Sequence, residues 1–364
     1  MKVLMVSRPD ARQVPGGDTV QMRELARALR GLGLMVEERL GAQKGEDYAG
    51  WTLVHLFNLQ TPDFTLGEAR KIRAAGRPLV LSPIYWDFSR YRQELALLEW
   101  PKWRVMRRAM GTRAAGWLWR FRHHRPMADA QRQAVMLSDV LLPNSRGEQE
   151  QVDRLGAGPK PFTVVHCGLD PARFDPSLPR LLPEWARTRG IASKSYVLSA
   201  GRVEPIKNGL GLLRALRGTG IPVVLAGDTT DSLYAKDCEA QGAILTGRLE
   251  EGELEATFAH ARVHAQPSFT ETLGMASMEA AAMGCAVVST TTGGLREYLG
   301  DQARYCDPGD AESIRRALLA AWKAGPPGGL AQQVRTRFTW KAAAQETVEG
   351  YRMVLAEEAR KKGK

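Results

Sequence analysis

Pro267-Ser268-Phe269-Thr270-Glu271-Thr272-Leu273-Gly274-Met275-Ala276-Ser277-Met278-Glu279-Ala280-Ala281-Ala282-Met283-Gly284 is the densest stretch of the chain. It follows an apolar run at Val263–Gln266 and opens a small-residue helix near Gly274. Backbone N–H groups at a helix start bind phosphate, and glycine permits close approach. Glu271 stands just before the helix and Glu279 eight residues later, a little over two turns on, so both carboxylates can face one ligand. One carboxylate could grip a sugar while the other takes a ribose diol. On the residues alone, Glu271 could equally cap the helix and Glu279 be a solvated helix residue.

Working outward, a second strand-to-helix loop reads Ser199-Ala200-Gly201-Arg202-Val203-Glu204-Pro205-Ile206-Lys207-Asn208-Gly209. A forked guanidinium (Arg202) and a point-charge ammonium (Lys207) suit a diphosphate that gains charge as it leaves. The bland alternative is two surface cations. Apolar runs of strand length alternate with helical patterns along the chain: 2–7, 53–57, 78–82, 140–143 and 163–166, then 196–200, 222–226, 243–246, 263–266 and 286–289. That rhythm predicts an α/β architecture of parallel sheets with crossover helices. Pro171, Pro176, Pro179 and Pro183 punctuate the middle. The expected division is an N-terminal Rossmann-like domain at 1–175, a linker at 176–190, a second Rossmann-like domain at 191–338, and a final helix over 339–364. Asp18 is the expected N-cap of the first helix.

The two loops together resemble the retaining, nucleotide-sugar-dependent glycosyltransferases of family 4 (glycosyl transferases group 1), which have the GT-B fold. The carrying patterns are G-R-V-x-x-x-K-N at 201–208 and P-S-x-x-E-x-L-G-x-x-x-x-E-A at 267–280. Supporting matches are Leu225-Ala226-Gly227-Asp228, Thr246-Gly247-Arg248-Leu249, Val288-Ser289-Thr290 with Gly293-Gly294, Pro143-Asn144-Ser145, and Gly168-Leu169-Asp170 with Phe174-Asp175-Pro176. The resemblance is strongest over about 140–320 and thins toward the N-terminus. It implies two Rossmann-like domains facing across a cleft, with the C-terminal helix crossing back to the first. It further implies that Arg202 and Lys207 hold the donor diphosphate with the amides of Leu273 and Gly274. Glu279 would bind the ribose, Glu271 would contact the transferred sugar, and Arg248 and Leu249 would lie near the base. Gly16-Gly17 looks like the family's glycine pair beside donor and acceptor.

The sequence departs from the family at Leu79-Val80-Leu81-Ser82-Pro83-Ile84-Tyr85-Trp86-Asp87, where relatives usually carry a His. His55, in Val54-His55-Leu56-Phe57-Asn58, is then a catalytic candidate or a satisfied strand histidine, and Tyr85, Trp86 and Asp87 are acceptor-side candidates. Retaining transfer can let the leaving phosphate take the acceptor proton. Sequence reading therefore expects a cytoplasmic enzyme, peripheral on the inner face of the membrane where residues 90–125 bind it, with a UDP-, GDP- or ADP-linked sugar as donor. The acceptor would be a saccharide or a lipid-linked molecule, with no metal or other cofactor. The alternatives are an epimerase or phosphorylase on the same scaffold, or a non-catalytic membrane or nucleic-acid binder.

Composition excludes other classes. With 364 residues, 44% hydrophobic and 25% charged, the chain is neither disordered nor fibrous. Cys167, Cys238, Cys285 and Cys306 form no C-x-x-C pair, so reduced thiols are expected. The Pro9–Asp18 loop lacks G-x-G-x-x-G, which counts against a dinucleotide dehydrogenase. His260 and His264 are four apart, but His264 opens a strand, which argues against a metal pair on one helix. The net charge of +11 is concentrated: residues 90–125 hold ten Lys/Arg against Glu94 and Glu99, interleaved with Tyr91, Trp100, Trp103, Trp117, Trp119 and Phe121. That mixture suits a membrane interface or an anionic acceptor; a solvated helix with inward tryptophans is the competing reading, and nucleic acid a weaker one.

Overall fold

A computed structural model describes residues 1–13, 15–41, 48–89, 91–93, 96, 101–229 and 231–362. Arg90, Glu94, Glu99 and Trp100 of the basic tract lie outside the described residues. The chain divides into two units, Met1–Gly168 with Trp340–Lys364, and Leu169–Thr339.

In the first unit β1 (Lys2–Ser7), β2 (Met35–Leu40), β3 (Leu53–Phe57), β4 (Leu79–Ser82) and β5 (Val140–Leu141) form an all-parallel sheet in the order β2-β1-β3-β4-β5. Successive side chains alternate between its faces, as the two-residue repeat of a strand requires. Val3 and Met5 join one core with Leu25 and Leu29 of α1 (Gly17–Gly31), while Leu4 and Val6 join another with Leu66 and Ile72 of α2 (Pro62–Ala74). Burial on both faces is what a parallel sheet with crossover helices demands, and it makes the strands near-continuous apolar runs.

Between β4 and β5 the chain forms α3 (Pro101–Trp119), a π-helical turn (Arg120–His124) and α4 (Arg125–Leu137). Helix α5 (Arg146–Asp153) follows β5 and is capped by Ser145, whose Oγ accepts from the Glu148 N–H. The segment expected as a strand at 163–166 is extended beside β5, bonded through the Thr163 and Val165 amides, with only an isolated bridge at Phe162.

In the second unit β6 (Val197–Ala200), β7 (Val223–Ala226), β8 (Ala243–Gly247), β9 (Val263–Gln266), β10 (Ala286–Thr290) and β11 (Arg304–Cys306) pair in parallel in the order β11-β10-β9-β6-β7-β8. Helices α6 (Gly209–Ala215), α7 (Ser232–Ala240), α8 (Glu253–His260) and α9 (Met275–Ala282) connect β6 through β10, a short helix at Leu295–Leu299 precedes β11, and α10 (Ala311–Ala324) follows it. This order equals 3-2-1-4-5-6 counted within the unit, the doubly wound Rossmann arrangement.

The boundaries differ from the sequence reading. Residues 176–190 are no linker but part of the second unit. A one-turn helix, Glu184–Arg187, presents Trp185, whose Nε1 donates to Thr257 Oγ1 at 3.2 Å and whose ring meets Tyr196 edge-on. Residues 169–175 go the same way: Arg335 pairs with Asp175 at 2.8 Å and Phe174 packs on Phe258. The final helix α11 (Trp340–Lys362) belongs to the first unit, where Ala343, Ala344, Tyr351 and Val354 share the core of β1 and α1. All four cysteines are buried free thiols.

Candidate functional site

In a doubly wound sheet, ligands bind outside the carboxyl ends of the strands where the strand order reverses. In the second unit that reversal falls between β6 and β9, and both loops singled out in the sequence start there.

After β6, Gly201 turns with φ 147°. A short 3-10 turn, Pro205–Lys207, then ends at Asn208 in the left-handed conformation (φ 59°), which Asn tolerates well. Asn208 ties the two loops together, its Nδ2 donating to Pro267 O (3.0 Å) and Pro308 O (2.8 Å). The Phe269 N–H donates to Ile206 O at 2.9 Å.

Gly274 is left-handed (φ 84°) and caps α9. Two further glycines are required by close approach. A Cβ at Gly227 would lie 2.2 Å from Gly201 O, and one at Gly293 would lie 2.3 Å from Glu271 O. The latter contact accompanies the bridge between Glu271 and Gly293 that fixes the Glu271 backbone.

The side chains converge. Lys207 Nζ is 2.7 Å from Glu271 Oε2, which also accepts from Ser268 Oγ at 3.2 Å. Ser268 in turn accepts from Gln266 Nε2 at 3.3 Å. Both members of the ion pair keep some exposure, 23% for Lys207 and 15% for Glu271, so a ligand can reach them. Arg202 is more open and pairs with Glu204 at 3.2 Å.

Glu279, one face of α9, is partly exposed; desolvation pushes its carboxyl up to about 7, opposed by Arg173 and reinforced by Glu255. Arg173 itself is bonded to Glu255 and lies 3.1 Å from Glu251. Leu273 is buried, and Leu249 is partly so. Arg248 is exposed and 3.5 Å from Asp228. Beneath the loops, buried His264 accepts from the Ala200 N–H and faces Ser277 Oγ, each at 3.4 Å. His260 bonds Ser193 and Arg180 instead, so the two histidines do not share a ligand. Among the described residues no three His, Cys, Asp or Glu gather as a metal site.

The first unit has its own reversal between β1 and β3. Gly16 is the N-cap of α1, and Asp18 lies inside the first turn rather than capping it. The Asp18 carboxylate accepts from Arg8 Nε (2.7 Å) and Nη2 (3.2 Å) and from Asn58 Nδ2 (2.8 Å). Burial raises its pKa, but these donors outweigh that and hold it below the ordinary carboxylate range. A Cβ at Gly16 would meet Asp18 Oδ1 at 2.7 Å, which explains the glycine. Arg8 and Asn58 were missed in the sequence; the available signal was a polar residue directly after each apolar strand.

His55 is corrected: it is a core histidine. It is fully buried in β3, with Nδ1 2.8 Å from Tyr351 Oη and Nε2 2.8 Å from Ser82 Oγ, and burial drives its pKa down to about 3. A neutral ring with both nitrogens bonded inside the core has no proton to exchange with a substrate. His55→Ala is therefore expected to cost about 2–3 kcal/mol in chemical unfolding. Turnover per folded molecule should remain unchanged.

Tyr85 is likewise a core residue, 4% exposed and packed with Leu56, Leu81 and Val152. Trp86 is partly buried and its carbonyl accepts from Gln60 Nε2. Asp87 is exposed and its Oδ1 accepts from the Ser89 N–H.

Residues 183–336 match the family model described as glycosyl transferases group 1. Among curated relatives, the D-inositol 3-phosphate glycosyltransferase of Kineococcus radiotolerans is 27% identical over 64% of this chain and 61% of its own length. The chain spans about three fifths of the length of the curated relatives it matches first. Among solved structures, sucrose-phosphate synthase from Thermosynechococcus elongatus aligns over 98% of this chain and 100% of that one, with TM-score 0.74 and 14% identity. Anabaena Alr3699/HepE, solved in complex with UDP-glucose, covers 96% of this chain and 98% of that one, with TM-score 0.71 and 16% identity. Residues 183–336 of the second unit thus resemble the glycosyl transferases group 1, and the chain's two Rossmann-like units match solved glycosyltransferase structures of the GT-B fold.

Proposed function

We propose that this chain transfers a sugar from a nucleotide-diphosphate donor to an acceptor hydroxyl, with retention of configuration, as the family 4 glycosyltransferases do. The observation that carries the reading is the Lys207–Glu271 pair beside Arg202 at the β6/β9 reversal. Arg202 and Lys207 hold the diphosphate, aided by the amides of Leu273 and Gly274 at the start of α9. Glu271, already bonded to Lys207 and Ser268, accepts hydroxyls of the transferred sugar. Glu279 takes the ribose diol, and Arg248 and Leu249 flank the base.

As the bond to the anomeric carbon breaks, negative charge grows on the leaving diphosphate, where both cations are already in place. With His55 in the core, no histidine serves as base from that position; the leaving phosphate oxygen takes the acceptor proton and the sugar keeps its anomeric configuration. The positive charge at the diphosphate comes from side chains and a helix start, so no metal is required. Nucleotide sugars place the work in the cytoplasm, and UDP-, GDP- and ADP-linked sugars are the donors to try first.

Proton NMR of the glycoside formed from an α-linked donor tests this directly. An α-linked product is expected. A β-linked product would overturn retention. An altered donor without acceptor, or turnover only with free phosphate, would favour the epimerase or phosphorylase alternative.

A further inference from the structure

The basic tract falls in a helical hairpin that the transfer site does not use. Gly111 (φ 82°, ψ 161°) interrupts α3, and residues on either side of it fold back together. Trp103, eight residues before it, packs with Ala115 and Trp119 and meets His123 edge-on at 5.5 Å. These inward rings are 3% exposed, and they account for two of the tryptophans.

The outward set is different. Trp117 is 69% exposed, Val105 63%, Phe121 54% and Met110 45%. Trp117 and Phe121 stack at 5.8 Å with Arg125 over the Phe121 ring, and Lys102, Arg108, Arg113, Arg120 and Arg122 of the same hairpin are exposed. Residues 101–125 contain eight Lys/Arg and no Asp or Glu.

We propose that this hairpin docks on an anionic lipid bilayer, with Trp117 and Phe121 entering the interface and the arginines on the headgroups. Charge complementarity selects the occupant. A protein partner would meet the exposed cations Lys102, Arg108, Arg113, Arg120, Arg122 and Arg125 with no acid interspersed at 101–125 to set register, whereas a headgroup layer neutralises them without register. Stacked aromatics flanked by arginine are the composition of an interfacial element, lying in the surface rather than spanning it. No helix among the described residues is long and apolar enough to cross a membrane.

The hairpin is also tied to the loop after β4. Arg92 donates from Nη1 to Met127 Sδ of α4 and from Nη2 to Gln60 Oε1, and Gln60 holds the Trp86 carbonyl. Docking would therefore bring the Trp86–Asp87 loop to the lipid surface, which makes the acceptor a lipid-borne one. That last step rests on the transfer reading; the docking does not.

Flotation of the full chain with phosphatidylcholine vesicles, alone or with about 30 mol% phosphatidylglycerol, tests the docking. Wild type is expected to float with the anionic vesicles only, and to be released by high salt. Trp117→Ala/Phe121→Ala and Arg113→Glu/Arg122→Glu should each cut the bound fraction about tenfold or more, with unfolding and nucleotide-sugar turnover in solution unchanged. Met110→Asp, at the exposed tip, provides a third, single change in the same direction. Equal flotation with both vesicle types, flotation with neither, binding only to an oligonucleotide, or full binding by all three variants would overturn the proposal. Lost flotation with intact turnover in the variants supports docking; a wild type that floats but releases no nucleoside diphosphate from any of the donors would count against the transfer reading alone.

Discussion

Purified Lys207→Ala protein is expected to fold normally and to lose at least two to three orders of magnitude in kcat/KM for sugar transfer, as removal of a single preorganised charge-stabilising donor does at about 10²–10³-fold. Lys207 is positioned from both sides. Its turn ends at Asn208, whose side chain is clamped to Pro267 and Pro308, and its ammonium is held 2.7 Å from Glu271. In the proposed site, truncating it removes one of the two cations from the diphosphate, leaving Arg202 and the backbone amides, and leaves Ser268 as the remaining side-chain donor to Glu271. Glu271→Ala should lower kcat to a similar degree, because the sugar loses its anchor and Lys207 loses its orientation. The double variant should be little worse than either single one, since two members of one unit do not contribute additively. Lys207→Arg should recover part of the loss. Steady-state release of nucleoside diphosphate over a range of donor concentrations, which gives both kcat and kcat/KM, measures all four.

The second large effect concerns stability. Glu148 is fully buried in the first unit, where Oε1 accepts the Tyr85 N–H (2.9 Å) and Oε2 the Asn144 N–H (2.8 Å). It thereby fixes the turn after β4, in which Ile84 is held at φ 44°, a conformation disfavoured for a β-branched residue. Glu148→Ala orphans both buried amides and opens a cavity, so a loss of about 2–4 kcal/mol is expected from the urea midpoint. Glu148→Gln keeps one acceptor and should lose less.

The pH dependence has a definite sign. Burial outweighs the amide bonds and raises this carboxyl from 4.5 to about 7. The protonated acid is the form favoured by folding, so its contribution is fully present below about 4.5 and is lost as pH rises through 7. Wild type should therefore gain stability over Glu148→Gln as the pH falls from 8 to 5. A gap that widens in the opposite direction would mean that the amides, not burial, dominate.

The two candidate loops at the β6/β9 reversal were legible because their shaping residues are local. Gly201–Asn208 and Pro267–Gly274 each follow an apolar strand and lead into a helix, and the positive-φ residues that shape them, Gly201, Asn208 and Gly274, lie within the loops themselves. Gly227 and Gly293, whose backbones the loops approach, lie more than twenty residues beyond Gly201 and Glu271. What was not legible depends on distant partners or on exposure. His55 lies in an apolar run and reads as either a catalytic or a core residue; what decides it is its burial between Ser82 and Tyr351, 27 and 296 residues away. The edge strand Met35–Leu40 carries Glu37, Glu38 and Arg39, buries only Val36, and so has no apolar alternation to detect. The prolines around 176–190 signalled turns correctly, but Trp185 anchors that stretch through Thr257 and Tyr196, contacts that no local pattern encodes. In the basic tract, helical spacing could not say which tryptophans face inward, because Gly111 breaks the helix and resets the phase.

The most direct test of the central claim is nucleoside diphosphate release from UDP-, GDP- and ADP-sugars by wild type and by Lys207→Ala, side by side. The account predicts turnover by wild type with at least one of these donors and a loss of about a hundredfold or more in the variant. Equal turnover by the two proteins would contradict it.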